Sequence, residues 1–185
     1  MRPFARVCLI AVGCSSIVLG QVDSVPAKWL GTWTLSLPES KLGQLWGPGV
    51  PEGGLTFTGQ TLKLAVTVGH LRVAGDTVTA ELGSLHDESD VNLDGTETVI
   101  SPGARISFRR ISDSTFDLIV KMNNKAIGNH VGENRFVFSA DGRTLTETKT
   151  HTEREVVADG WDQTKGTVIR TSTTVLVFRK ILESN

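Results

Sequence analysis

The stretch WLGTWTLS, Trp29 to Ser36, decides how the rest of the chain is read. It holds two of the four tryptophans in a chain without tyrosine, and they flank Gly31. From Thr32 the side chains alternate. Trp33, Leu35 and Leu37 fall on one side, and Thr32, Thr34 and Ser36 on the other. Period two marks a strand with one buried face. A large indole at the head of the first strand, on its apolar side, needs something to pack against. It either plugs the end of a closed sheet or is one of two unrelated core tryptophans.

The alternation continues downstream. Leu62, Leu64, Val66 and Val68 oppose Thr61, Lys63, Ala65 and Thr67; Ile106 and Phe108 oppose Arg105, Ser107 and Arg109; Phe116, Leu118, Val120 and Met122 oppose Asp117 and Lys121. β-branched residues and Phe are frequent in these runs, as strands favour. Turn signals separate them: AGDT, LDGT, SPGA, SDST, NNK and the Asp141-Gly142 pair. Asp-Gly between RFVFS and TLTETKT predicts a tight hairpin, because such turns need positive φ. No segment past residue 21 has a convincing helical period. PAKWLG and the region near Ser40 have room for one short turn each. Two long connections stand out, from Pro38 and from Val157. The expectation is an all-β chain: a single antiparallel meander of eight to ten strands, closed into a barrel or folded into a sandwich, because open edges invite aggregation.

Gly31-Thr32-Trp33 resembles the Gly-x-Trp that opens the first strand of lipocalins and fatty-acid-binding proteins. GTWTLSLPESKL and the hairpin from Ser139 to Thr146 are similar to secreted bacterial lipocalin-like proteins of unassigned function. The resemblance spans about residues 29–180. It implies a lipocalin-like β-barrel whose last strand places a basic residue over the first-strand Trp. TVLVFRK offers Arg179 for that place, with Lys180 as second choice. On this reading Gly31, Trp33 and Arg179 close the barrel, and Trp29 caps the same end.

Residues 1–20 carry Arg2 and Arg6, an apolar run too short and too interrupted to span a membrane, and small residues before Gln21. They predict a signal peptide cleaved after Gly20, with lipoprotein processing at Cys14 as the alternative. Residues 21–28 then form a short lead, 29–181 the barrel domain and 182–185 a tail. The expected location is secreted or periplasmic. Both cysteines, Cys8 and Cys14, leave with the signal, so packing alone must hold the domain. Removing Arg2 and Arg6 from 19 basic residues against 20 acidic ones leaves a net charge of −3, which does not suit a nucleic-acid or anionic-membrane partner.

No nucleophile elbow, phosphate loop or dinucleotide fingerprint occurs, so no catalytic residue is assigned. His70, His86, His130 and His151 show no metal-ligand spacing and read as surface or turn residues; a metal centre would need them to converge from separate strands. Asp90, Asn92 and Asp94 match the first half of a calcium loop, but the twelfth position is Ser101 rather than Glu. Neither a metal nor a cofactor is assigned. In HDESD, Asp87 and Ser89 point one way and Glu88 and Asp90 the other, which suits a solvated acidic edge. TLTETKTHT places its threonines on one side and Leu145, Glu147, Lys149 and His151 on the other. The threonines fit an exposed ladder or a polar interior. Arg170, sharing a face with Ser172 and Thr174, could meet a carboxylate head group. Trp46 and Trp161 lie in the long connections, where they would line an entrance or pack onto the barrel.

The expected function is a non-enzymatic carrier or sensor for a small, largely hydrophobic molecule, with Trp46, Trp161 and Arg170 as candidate ligand contacts. The alternative is a protein- or glycan-binding or inhibitory module acting through the mouth loops of a filled barrel, and a third reading is an isomerase or hydrolase on the same fold.

Overall fold

The computed structural model describes residues 25–42, 55–124, 128–155 and 166–182. Ten strands make up the described fold: β1 (Gly31–Leu35), β2 (Phe57–Thr67), β3 (His70–Thr79), β4 (Gly83–Asn92), β5 (Thr98–Ser101), β6 (Ala104–Ser112), β7 (Thr115–Asn124), β8 (Gly128–Phe138), β9 (Thr144–Arg154) and β10 (Val168–Lys180). Two single 3-10 turns, Ala27–Trp29 and Leu37–Glu39, sit where the sequence left room for them. The strands join one antiparallel sheet in the order β4-β3-β2-β1-β10-β9-β8-β7-β6-β5. The chain is thus all-β, a ten-stranded antiparallel meander nearly closed into a barrel.

The first and last strands pair, Trp33 opposite Lys180 and Leu35 opposite Phe178. Pairing continues past β1, where Lys41 exchanges backbone hydrogen bonds with Val175. The unpaired seam instead lies between β4 and β5, consecutive in the chain. β5 has four residues and pairs only with β6. β4 pairs only with β3, and its acidic residues stand along a free edge, where charge discourages pairing with other chains. Both long connections, 36–56 and 155–167, leave from the end of the barrel opposite Trp29.

That Trp29 end is filled. Trp29 and Trp33 are both fully buried. The Trp33 Nε1–H donates to the Trp29 carbonyl at 3.2 Å, and the Trp29 Nε1–H to the Asp113 carbonyl at 3.1 Å. Each indole therefore buries its ring with its one donor satisfied. Trp29 stacks on Phe138 at 5.4 Å and lies 4.8 Å from Phe116, which in turn stacks on Phe136. Leu64, Leu71, Val91, Leu145, Leu176 and Phe178 complete the core. Val66 and Val68, in phase with Leu62 and Leu64, run beyond it and are exposed, Val68 almost wholly. Leu37 likewise leaves the strand for the second 3-10 turn and is exposed.

The cation over Trp33 is Lys180, not Arg179: its Nζ sits 5.1 Å from the ring centroid. The reason is the two-residue period. Leu176, Phe178 and Lys180 share the inner face of β10, whereas Arg179 points out, pairs with Glu39 and donates to Thr144 Oγ1 at 2.6 Å. Gly31 has φ +120°, and a Cβ there would come within 3.1 Å of Lys180 Cε. The lysine therefore reaches the indole over a position that only glycine suits. A second cation, Arg110, lies 5.7 Å from the Trp29 ring, on the same face of β6 as Ile106 and Phe108.

On the outer face, Asp117 of β7 lies between Arg109 of β6 and Arg135 of β8, with contacts of 2.6 and 2.8 Å. The hydrogen bonds from Arg135, and then those from Arg109, hold its carboxyl below the usual carboxylate range. A depressed acid contributes stability above its ordinary value that is lost as pH falls through the depressed one.

Two stability outcomes follow from this packing. Lys180→Ala should lower the unfolding free energy by about 0.5–2 kcal/mol, the range of a cation–π contact. Arg179→Ala should shift the urea midpoint less, because its ion pair is exposed; the reverse order would refute the lysine lid. Asp117→Asn should flatten the acid limb of the pH–stability curve, measured by urea titration across acidic pH; an unchanged limb would show that the two guanidinium pairs stabilise nothing.

Candidate functional site

Leu145 of β9 is buried in the aromatic base, and this sets the phase of the whole strand. With a period of two, Glu147, Lys149, His151 and Glu153 must follow it on the inner face, and Thr144, Thr146, Thr148 and Thr150 must face outward. The threonine ladder is therefore on the exterior. The β9 residues between the threonines, Glu147 and Lys149 among them, face the interior instead.

Above the aromatic base lies a cavity of about 240 Å³. Eight strands contribute to it. Its apolar wall is Leu62, Val73, Ile106, Leu118, Val120 and Phe136, with Ile100 of β5 beside the seam. Its polar wall is Gln60, Asp87, Ser89, Asn134, Glu147 and Lys149. Asp87 can lean inward because its cross-strand neighbour is Gly75, where a Cβ would sit 2.7 Å from the Asp87 carboxylate. The acidic run thus divides as its alternation predicts. Asp87 and Ser89 line the cavity, while Glu88 and Asp90 contact Arg72 outside.

Glu147 is 2% exposed. Its Oε1 lies 3.5 Å from Lys149 Nζ, longer than the 2.7–2.9 Å of a tight charge-assisted bond. Its Oε2 has no hydrogen-bond partner in the protein, and neither do Gln60 Oε1 and Thr174 Oγ1. Burial raises the Glu147 pKa, Lys149 pulls against it, and the Asp87 charge adds to the rise. The interior therefore has an oily wall and a polar wall with two unmet acceptors, Glu147 Oε2 and Gln60 Oε1, the composition of a pocket with a few orienting polar groups.

Nearer the mouth, His130 Nδ1 and His151 Nε2 meet at 2.9 Å, one donating and the other accepting according to tautomer. Neither is an exposed surface residue: His130 is buried and His151 half-buried. His130 is 3% exposed, and the pair joins β8 to β9 within the sheet's interior. Burial, then the neighbouring His130, lowers the His151 pKa. His86 pairs with Asp76 on the surface. Arg170 has the inward phase, but at the rim, where its Nε donates to Glu153 at 2.6 Å. The proposed carboxylate anchor thus faces a carboxylate of its own chain. Trp46, Trp161 and residues 1–20, for which a signal peptide is expected, lie outside the described residues. In the calcium-like stretch, Asp90 takes both Arg72 bonds, Asp94 accepts from the Thr96 amide and hydroxyl, and Asn92 donates to Thr96 Oγ1. Among the described residues no three His, Cys, Asp or Glu side chains converge in a way that could hold a metal ion. No helix among them is long and apolar enough to cross a membrane.

The coordinates thus define a class: a nearly closed ten-stranded meander barrel with a packed aromatic base and a small, acid-sided chamber. No family model matches the chain, and no curated protein does. Among solved structures it is similar to that of EF1p2_mFAP2b bound to DFHBI, at 8% identity over 85% of this chain and 97% of that one, with a TM-score of 0.42. A likeness that weak carries no functional argument, and the architecture rests on the strand pairing itself.

Because the native state holds the Glu147 proton more tightly than the unfolded chain does, stability falls as pH rises from the ordinary carboxyl value through the raised one. Glu147→Gln should abolish that decline. It should also raise Tm in mildly alkaline buffer by about 2–4 °C, the shift that about 1 kcal/mol produces at this chain size. Differential scanning calorimetry of both forms at acidic and alkaline pH checks this; a variant with the parent's pH slope would show that the carboxyl is not destabilised where it sits.

Proposed function

We propose that the protein is a non-enzymatic carrier or sensor that holds one small, mostly apolar molecule inside the barrel. The observation that supports this is the 240 Å³ chamber above a packed base, with hydrocarbon on one wall and hydrogen-bonding groups on the other. An apolar cavity of about 150 Å³ accepts benzene, and drug-sized sites begin at about 300 Å³. The chamber therefore suits a body of one or two rings better than a long acyl chain, a retinoid or haem. The ring-sized volume also supports the carrier over a module with a filled barrel. An indole behind Gly-x-Trp, lidded by a last-strand lysine, supports kinship with the lipocalin and fatty-acid-binding group. The amino-terminal signature supports action outside the cytoplasm.

Ligand entry follows from the seam. Asp87 and Ser89 on one margin and Ile100 on the other all line the chamber, and β4 and β5 share no backbone ladder that must open.

Native mass spectrometry of protein from its own source, with thermal shifts against a panel of one- and two-ring compounds, tests the reading. A ligand at a hundred times its Kd adds about 2.7 kcal/mol and so several degrees of Tm. Val120→Phe, which fills the chamber, should cancel the shift while leaving a cooperative melt. No adduct and no shift across the panel would overturn the carrier.

A further inference from the structure

Resting on the carrier reading, we infer that the chamber selects a small organic cation, an amine or amidine carried on one or two rings, with Glu147 as its counter-ion. The chamber offers acceptors in excess of donors. Glu147 Oε2 and Gln60 Oε1 belong to its lining residues, are buried, and have no partner in the protein. Its charged side chains are two carboxylates, Asp87 and Glu147, against one ammonium, Lys149. That ammonium approaches a single oxygen, at 3.5 Å.

Each ligand class meets this wall differently. A neutral apolar ligand would leave Glu147 Oε2 without a donor, at the cost of an unmade hydrogen bond. An anionic ligand would set its charge beside Asp87 and bring no donor to Glu147 Oε2, and Arg170 is engaged at the rim by Glu153. A cation brings N–H donors to the Glu147 oxygen that lacks one, and adds to the positive charge that Lys149 alone supplies. The ring then fills the space between Leu62, Leu118 and Val120, so charge and shape are read by opposite walls.

Proton linkage gives the inference a signature. The charged groups acting on Glu147 are Lys149 on its own strand and Asp87 across the chamber on β4. Its inward neighbours on β8 and β10, Asn134, Phe136, Thr174 and Leu176, carry no charge. Burial holds the Glu147 proton, and a bound cation favours its release. Affinity for a cation should therefore rise with pH through the raised pKa and then level off, while affinity for a neutral ligand should not.

Isothermal titration of the full chain with benzylamine, benzyl alcohol and benzoate, in mildly acidic and mildly alkaline buffer, separates the cases. The expected result is benzylamine at least about tenfold tighter than the alcohol at alkaline pH. The advantage should shrink in acid and vanish in Glu147→Gln, which still binds the alcohol. If that variant shows no cooperative melt, Asp87→Asn replaces it and should narrow the amine preference. Benzoate binding tightest would make Lys149 the anchor and overturn the cation, as would equal amine and alcohol affinities; either result leaves the carrier standing. An amine preference that ignores pH and survives the carboxylate substitutions also overturns it. Absence of binding by all three compounds, together with a silent ligand panel, removes the carrier and the cation at once.

Discussion

Everything else in this barrel depends on the contact between its first strand and its last. β1 is five residues long, too short to hold a place in the sheet by hydrogen bonds alone. What holds it is Trp33, whose ring is shut in by Phe138 from the side and Lys180 from below, and whose N–H is taken by the Trp29 carbonyl. Burying one such indole is worth several kcal/mol, comparable with a large share of a domain's net stability. The same contact ties β1 to β10, and so turns two half-meanders into one sheet. With a disulfide-free described domain, nothing covalent substitutes for it.

Filling one end with aromatic rings determines what the other end can be. Six large rings, Trp29, Trp33, Phe108, Phe116, Phe136 and Phe138, crowd the base. The inner faces of the same strands then run upward with smaller and more polar side chains that cannot meet in the middle. A chamber remains because Val73, Gly75, Ser89 and Val120 are too short to fill it. A buried carboxylate in that chamber is costly. A fold with no use for it would be more stable with glutamine or leucine, as replacement of buried ionic groups by well-packed neutral ones often shows. The strained electrostatics sit in the part of the barrel that packing leaves open, and the well-satisfied contacts sit in the part that holds the strands together. Strain of that kind concentrates where ligands act.

The seam is the other consequence of this division. β4 begins with exposed, mostly small or acidic residues, and β5 is too short to complete a ladder. The sheet therefore closes by packing around Val91 and Leu93 at the base and stays unpaired alongside the chamber. Charge on the free edge discourages pairing with other chains, at the place where access to the interior is easiest.

Alternation and turn signals determined most of the architecture: an antiparallel meander of eight to ten strands, the inner faces of most of them and the Asp141-Gly142 hairpin, while the indole at the closed end came from the family resemblance. Alternation also contained more than the family resemblance drew from it. Lys180, not Arg179, keeps step with Phe178, and Glu147 keeps step with Leu145, so both inward assignments follow from a period of two. Arg110 follows Phe108 in the same way. What periodicity cannot supply is the distance between faces that never meet in the chain. That His130 touches His151, that Asp87 acts on Glu147 across the chamber, and that the gap falls between β4 and β5 are products of curvature, strand length and side-chain volume summed around the barrel. Those sums are three-dimensional quantities, and only the tertiary structure decided them.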